Sequence, residues 1–181
     1  QRATALESFT NVEEFLKSLN MISDVQEFNN FSKPRVSQLS QRSNQFNLRT
    51  VRYTEEEVND LIQSEQHYTL SFTLEDKYGD NGLICVIVLK GLDPENIFIE
   101  SWLMSCRVLK RGMEEFTLNT LVKTKKKNGF KKLIGEYIES PKNQMVQNHY
   151  ENLGFKPENG KWILEIADYQ PKEVNIKTKN N

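Results

Sequence analysis

The stretch IFIESWLMSCRVLKRGMEE, residues 97–115, decides the fold. Its first half is rich in branched and aromatic residues and reads as a strand. Strict alternation would put Phe98, Glu100, Trp102, Met104 and Cys106 on one face. From Met113 a helical apolar stripe runs through Phe116, Leu118, Leu121 and Val122, and Asn128-Gly129 stops it. The turn between them holds Arg107, Lys110, Arg111 and Gly112. A strand that turns directly into a helix aims the first helical N–H groups at the strand's mouth, where they and the helix dipole favour an anion. Gly112 permits close approach to the backbone, and Arg107 and Arg111 add charge-assisted donors. The competing reading is a solvated basic turn.

Upstream, HYTLSFTLEDKYGDNGLICVIVL (67–89) reads as two strands around a hairpin turn at Asp80-Asn81-Gly82. TEEEVNDLIQSEQ (54–66) is a helix opened by a Thr54/Glu57 capping box. SKPRVSQLSQRSNQFN (32–47) is a thinner helix with Pro34 in its first turn, and NMISDVQEF (20–28) is a weak first strand. Thr10 and Glu13 form a second capping box for a lead-in helix, and residues 2–9 read as a helix already under way. Downstream, KKLIGEYIES (131–140) is a strand, NQMVQNHYENLG (143–154) a helix, and GFKPENGKWILEI (154–166) a hairpin. The predicted class is α/β of the α+β kind, a mixed but mostly antiparallel central sheet flanked by helices. Residues 1–18 are expected to be a lead-in from an upstream domain, 19–169 the domain itself, and 170–181 a polar tail that frays.

With 24 Lys and Arg against 25 Asp and Glu, the formal net charge is -1, so no whole-protein field draws in nucleic acid or an anionic membrane. No apolar run approaches the ~20 residues of a membrane span. Two cysteines make no disulfide framework, and a cytoplasmic setting is expected.

The run R-V-L-K-R-G-M resembles the pyrophosphate loop of the GNAT superfamily of N-acetyltransferases, Arg/Gln-x-x-Gly-x-Gly/Ala, with Lys110 where the first glycine stands. NQMVQNHYENLGF (143–155) resembles that superfamily's later Asn…Tyr-x-x-x-Gly-Phe pattern through Asn143, Tyr150, Gly154 and Phe155. The resemblance implies the GNAT fold and a coenzyme A site at Arg107, Lys110, Arg111, Gly112 and Asn143. It also implies Tyr150 beside the coenzyme sulfur as the acid that protonates a leaving thiolate. A strand glutamate often serves such enzymes as general base, which points to Glu100; pairing with an arginine is its alternative role.

FTNVEEFLKSLNM (9–21), RVSQLSQRSNQFNLRTVRYTEEEV (35–58), YGDNGLI (78–84) and ESWLMSCRVLKRGMEEFTLNTL (100–121) resemble the C-terminal domain of FkbH-like proteins. Those join a haloacid dehalogenase-like phosphatase domain to a GNAT-fold domain and serve methoxymalonyl extender-unit synthesis in polyketide assembly. The resemblance implies a coenzyme A or phosphopantetheine thioester as ligand, an acyl carrier protein as partner, and phosphatase and glyceryl-transfer chemistry in an upstream haloacid dehalogenase-like domain. No Asp-x-Asp motif of that chemistry occurs in this chain.

The polar region between the first two helices borders the acceptor site in GNAT folds, which nominates Arg35, Asn44, Gln45, Asn47 and Arg52 for an anionic acyl group. The alternative is a network tying that loop to the sheet. Cys106 ends the strand, but a nucleophile needs a base, and only His67 and His149 exist; the reading is a packed, structural thiol. KTKKKNGFKK (123–132) reads as a solvated helix end rather than a nucleic-acid surface, and scattered His and Cys give no metal site. Two other functions remain open: a self-sufficient acyltransferase using Tyr150 and Glu100, and a non-catalytic interaction domain.

Overall fold

A computed structural model describes residues 11–179. The expected helix at 2–9 and the cap at Thr10 lie outside them. Helix α1 (Val12–Ser18) is capped one residue later than expected, by Asn11, whose side chain accepts from Glu14 N at 2.8 Å. Strands β1 (Met21–Ser23) and β2 (Val25–Gln26) follow, then α2 (Lys33–Arg42) and α3 (Glu55–Gln63). The capping box of α3 forms in full, Glu57 N to Thr54 Oγ1 at 3.1 Å and Thr54 N to Glu57 Oε1 at 3.0 Å. Next come β3 (His67–Asp76), β4 (Gly79–Gly91), β5 (Asn96–Met104), a 3-10 turn (Cys106–Val108) and α4 (Met113–Lys127). β6 (Lys132–Gly135), a second 3-10 turn (Gln144–Val146), α5 (His149–Asn152), β7 (Lys156–Glu158), β8 (Lys161–Glu165), a third turn (Ile166–Asp168) and β9 (Ile176–Thr178) complete the order.

The strands join in one mixed sheet in the order β7-β8-β6-β5-β4-β3-β1-β9, with β2 also on β3. Only β5/β6 and β1/β9 are parallel; every other pairing is antiparallel, as expected. Alternation along β4, broken once where a register shift leaves Ile84 as an extra residue beside Cys85, builds the two faces. Ile84, Cys85, Ile87 and Leu89 enter the larger core with Trp102, Phe116, Leu118 and Tyr150. Leu83, Val86 and Val88 enter a smaller one under α2 and α3 with Val36, Leu39, Tyr53 and Val58.

Four expectations are corrected. The β3–β4 turn falls at Lys77-Tyr78, where Asp76 Oδ1 accepts from Tyr78 N at 2.8 Å; Asp80-Asn81-Gly82 is instead an irregularity within β4, held by Gly82 N on Asp80 Oδ1 at 2.7 Å. The helix expected over 143–153 is broken into a 3-10 turn and the single turn of α5, because Asn143 and Asn148 leave helical geometry (φ -107° and -103°). The tail does not fray at its middle, since β9 lies parallel to β1 with Ile176 buried. Lys125, placed on a solvated face, is buried with Nζ 3.8 Å above the Tyr68 ring, and burial pulls its ammonium down to about 8.

Candidate functional site

Strict alternation fails in β5. Val88 pairs with Ser101 but Leu89 with Ile99, so Glu100 is the extra residue of a bulge. Trp102 and Met104 therefore join Ile97 and Ile99 in the larger core, while Phe98 faces the other way with the Arg49 guanidinium 5.0 Å above its ring. The Glu100 carboxylate turns toward the α2/α3 layer, accepting from Tyr53 OH at 3.0 Å and lying 3.7 Å from His67 Nε2. Burial and the neighbouring carboxylate push the Tyr53 phenol upward.

β5 and β6 pair only from Asn96/Lys132 to Phe98/Ile134 and then diverge. Residues 46–48 pass through the gap, bent at Phe46 and Leu48 and bridged to β5 at Asn47/Leu103. Met104 N donates to Phe46 O at 3.1 Å, Leu48 N to Trp102 O at 3.2 Å, and Ile138 N to Leu48 O at 2.9 Å. Phe46 and Leu48 are buried in the larger core, which stabilises the segment by about 1.5 to 3 kcal/mol per side chain. Arg49 closes the apex of the gap, bonding Glu100 O at 2.8 Å and Glu136 Oε1 at 3.1 Å.

Two nominated residues serve this insertion. Asn47 is fully buried, its amide on Ser43 O and its carbonyl oxygen on Thr50 N. Asn143, also fully buried, donates to Asn47 O and Ile138 O, both at 2.9 Å, and accepts from Ser140 N and Tyr137 OH. Neither faces a cavity. Arg52 caps the end of α2, bonding Ser40 O, Gln41 O and Ser43 O, and fixes Asn44 Oδ1 at 2.7 Å.

Outside the inserted segment lies an open cavity of about 990 Å³ between α2, the end of β5 and the loop before Asn143. Arg35, Arg42, Arg107 and Lys142 line it, and no lining residue is acidic. None of these four cations forms an ion pair among the described residues. Three nominated residues, Arg35, Asn44 and Gln45, converge here with Arg107. Cys106 lines the cavity as well, exposed, with Sγ 3.3 Å from Gln45 Oε1; the packed thiol expected from sequence is Cys85 alone. Sequence reasoning missed Arg42 and Lys142. For Arg42 a signal existed: Arg35, Gln38 and Arg42 are spaced i, i+3, i+7 and share a helix face.

The loop of residues 107–112 is less open than expected. Lys110 (φ 62°) and Gly112 (φ 92°) both adopt left-handed backbone, so the glycine that GNAT loops carry at the first position would sit there without strain. Arg111 Nη1 pairs with the buried Asp76 carboxylate at 3.0 Å, and Arg107 donates to Ser105 Oγ and Asn81 O. Glu114, in the first turn of α4, has a buried carboxylate oxygen, and burial raises its carboxyl. The chain thus places its own carboxylate at the helix start that would attract an anion.

Tyr150 lies beneath the inserted segment, against Phe155 (4.9 Å) and His149 (5.1 Å). Its hydroxyl is buried without a hydrogen-bond partner among the described residues, and burial pushes the phenol well above its ordinary range. Trp102 Nε1 and His149 Nε2 are buried without partners in the same cluster. Burial pulls the His149 imidazole down to about 3. The unfolded chain then binds a proton below the ordinary value near 6.5 that the folded chain refuses, so stability falls with pH from about 6.5 toward 3. His149→Gln removes this contribution. Urea midpoints for the two chains at pH 7 and pH 5 are expected to differ in pH sensitivity by about 2 kcal/mol.

No protein-family model and no curated protein matches the chain. Solved structures do match, and they define the fold as that of the GNAT acetyltransferases. A GNAT-family protein from Desulfovibrio desulfuricans superposes with a TM-score of 0.60 at 14% identity over 80% of this chain and 99% of its own. The ribosomal-protein-S18-alanine N-acetyltransferase of Escherichia coli gives 0.55 at 15% identity, covering 78% of this chain and 88% of that one. Spermidine N-acetyltransferase of Vibrio cholerae, solved with coenzyme A and spermine, gives 0.55 at 13% identity over 78% and 91%. Among the described residues no helix is long and apolar enough to cross a membrane.

Proposed function

We propose that this GNAT-fold chain handles acyl thioesters, binding coenzyme A or a carrier protein's phosphopantetheine thioester in the cationic cavity. The cavity carries the reading: among the described residues its four cations have no anionic partner, and they surround a space of about 990 Å³. Phosphate groups are the chemistry such a lining recognises. The residues present fit the phosphate end of the ligand, with Arg35, Arg42, Arg107 and Lys142 as donors. At the other end Tyr150 is sealed in the core, and no step is assigned to it. Bound, the group supplies a thioester-activated acyl carbon. Gln45 and Asn44, both on the cavity wall, orient polar atoms of that end, and Arg52 holds Asn44 in place.

In the finer form of the proposal, the chain is the C-terminal domain of an FkbH-like protein. It acts in the cytoplasm, with an upstream haloacid dehalogenase-like domain and an acyl carrier protein as partners. It holds the thioester while glyceryl or acyl transfer for a methoxymalonyl-type unit proceeds. The long polar sequence signature at 35–58, which resembles that family, supports this form. A self-sufficient acyltransferase is less favoured, because Glu100 bonds Tyr53 in the α2/α3 layer while Tyr150 lies in the opposite core.

Calorimetric titration of coenzyme A, and of a phosphopantetheinylated carrier protein, tests the proposal. Binding is expected at low salt, weakened about tenfold or more by Arg42→Glu with Lys142→Glu, since each reversal turns attraction into repulsion. Absence of binding by either ligand sinks it.

A further inference from the structure

Two diverging parallel strands expose unpaired N–H and C=O groups along their inner edges, and an extended chain that carries amides can satisfy them. A phosphopantetheine arm, with its two amides, is one such chain. In this protein that space is already taken by residues 46–48. Trp102 O and Met104 N on the β5 side, and Ile138 N on the other, are paired with the segment. Its own Asn47 carbonyl is held by Asn143. Phe46 packs edge-on against His149 at 5.2 Å, so the segment also covers the packed cluster of Trp102, His149 and Tyr150. Phe46, Asn47 and Leu48 are all buried, and Arg49 pins the closed end of the gap through Glu100 and Glu136. The N-terminal neighbours of the segment, Asn44 and Gln45, form the wall of the cationic cavity, directly across from Cys106.

We propose that Phe46–Leu48 is a fixed inner segment that sets how far a bound ligand reaches. The thioester end of the arm stops in the outer cavity beside Gln45 and Cys106, and the Tyr150 ring cluster stays covered in the complex. The inference rests on the thioester-binding reading above and goes beyond it by fixing the ligand's path and the residues that limit it. The acyl groups admitted are those whose polar atoms can be met by Asn44, Gln45 and the cavity's cations; a long apolar acyl chain finds no buried slot there.

The test uses the full chain with S-ethyl-coenzyme A, whose capped sulfur does not consume alkylating reagent. Three readouts are taken together: affinity by calorimetry, the rate of Cys106 alkylation by iodoacetamide, and amide exchange at Leu48, Met104 and Ile138. The expected result is measurable binding, Cys106 alkylation slowed about tenfold at saturation, and unchanged protection at those three amides. Tyr150→Phe is expected to leave the affinity within about twofold, because its hydroxyl never meets the ligand. Binding with loss of protection at Leu48, Met104 and Ile138 would show the segment leaving its slot and overturns this inference while the thioester reading stands. Binding without protection of Cys106 overturns it equally. No binding at all overturns the thioester reading, and the inference with it.

Discussion

Replacing Gly135 with alanine is expected to destabilise the chain by about 3 kcal/mol, at the upper end of what overpacking a filled core costs. Gly135 closes β6, opposite Trp162 of β8, and the Tyr150 ring lies flat against its α-carbon. A methyl group there would sit 2.5 Å from Tyr150 Cζ and 2.6 Å from Cε1. The ring has little room to yield, because Phe155, His149 and Trp102 surround it. The backbone of β6 is equally constrained by pairing on both sides, to β5 and to β8. Equilibrium urea unfolding of the wild type and Gly135→Ala measures the effect. The pair Gly135→Ala with Tyr150→Leu should recover part of the loss, since removing the ring relieves the overlap. That recovery would appear as a coupling energy of about 1 kcal/mol or more. An alanine chain as stable as the wild type would mean that Tyr150 is not packed as described.

The second large effect belongs to Asn143. Its side chain makes four hydrogen bonds, two donated to the carbonyls of Asn47 and Ile138 and two accepted from Ser140 N and Tyr137 OH. Alanine takes this partner from Asn47 O, Ile138 O and Ser140 N, while Tyr137 OH keeps the Asn143 backbone carbonyl at 3.4 Å; at about 1 to 3 kcal/mol for each group that water cannot reach, a total loss near 3 kcal/mol is expected. Asn143→Asp discriminates further. It keeps the acceptor oxygens but loses both donors and buries a charge, so it should be at least as damaging as alanine. Protection of the Ile138 and Leu48 amides should fall with both variants, because Asn143 reinforces the bond from Ile138 N to Leu48 O that ties the inserted segment to the loop of residues 138–143. Full stability in the alanine chain would remove the network from the account.

These two residues show what the sequence conveys and what it withholds. The strand-turn-helix at 97–115 and the Thr54/Glu57 capping box were legible because their signals are local: alternation, helical spacing, a cap three residues from its partner. The hairpin turn at Lys77-Tyr78 was not, because a tertiary ion pair of Asp76 with Arg111 competes with the stronger local signal of Asp80-Asn81-Gly82. The bulge at Glu100 was hidden for the same reason: one extra residue changes no composition yet splits the expected face of β5. Arg35, Asn44 and Gln45, nominated by residue type and region, and Arg107, nominated from the loop before α4, line one cavity. Asn47 and Asn143 share their chemistry but face the chain's own backbone. An amide that lines a cavity and one that locks a loop look alike until the fold shows what lies opposite.

The most direct test of the central claim is an amide chemical-shift map recorded while S-ethyl-coenzyme A is titrated into the isotopically labelled chain. If the cationic cavity is the binding site, the shifts cluster at Arg42, Asn44, Gln45, Cys106, Arg107 and Lys142, with Gly112, Glu114 and Glu115 little affected. Shifts centred on Gly112 to Glu115, or none at saturating ligand, would contradict it.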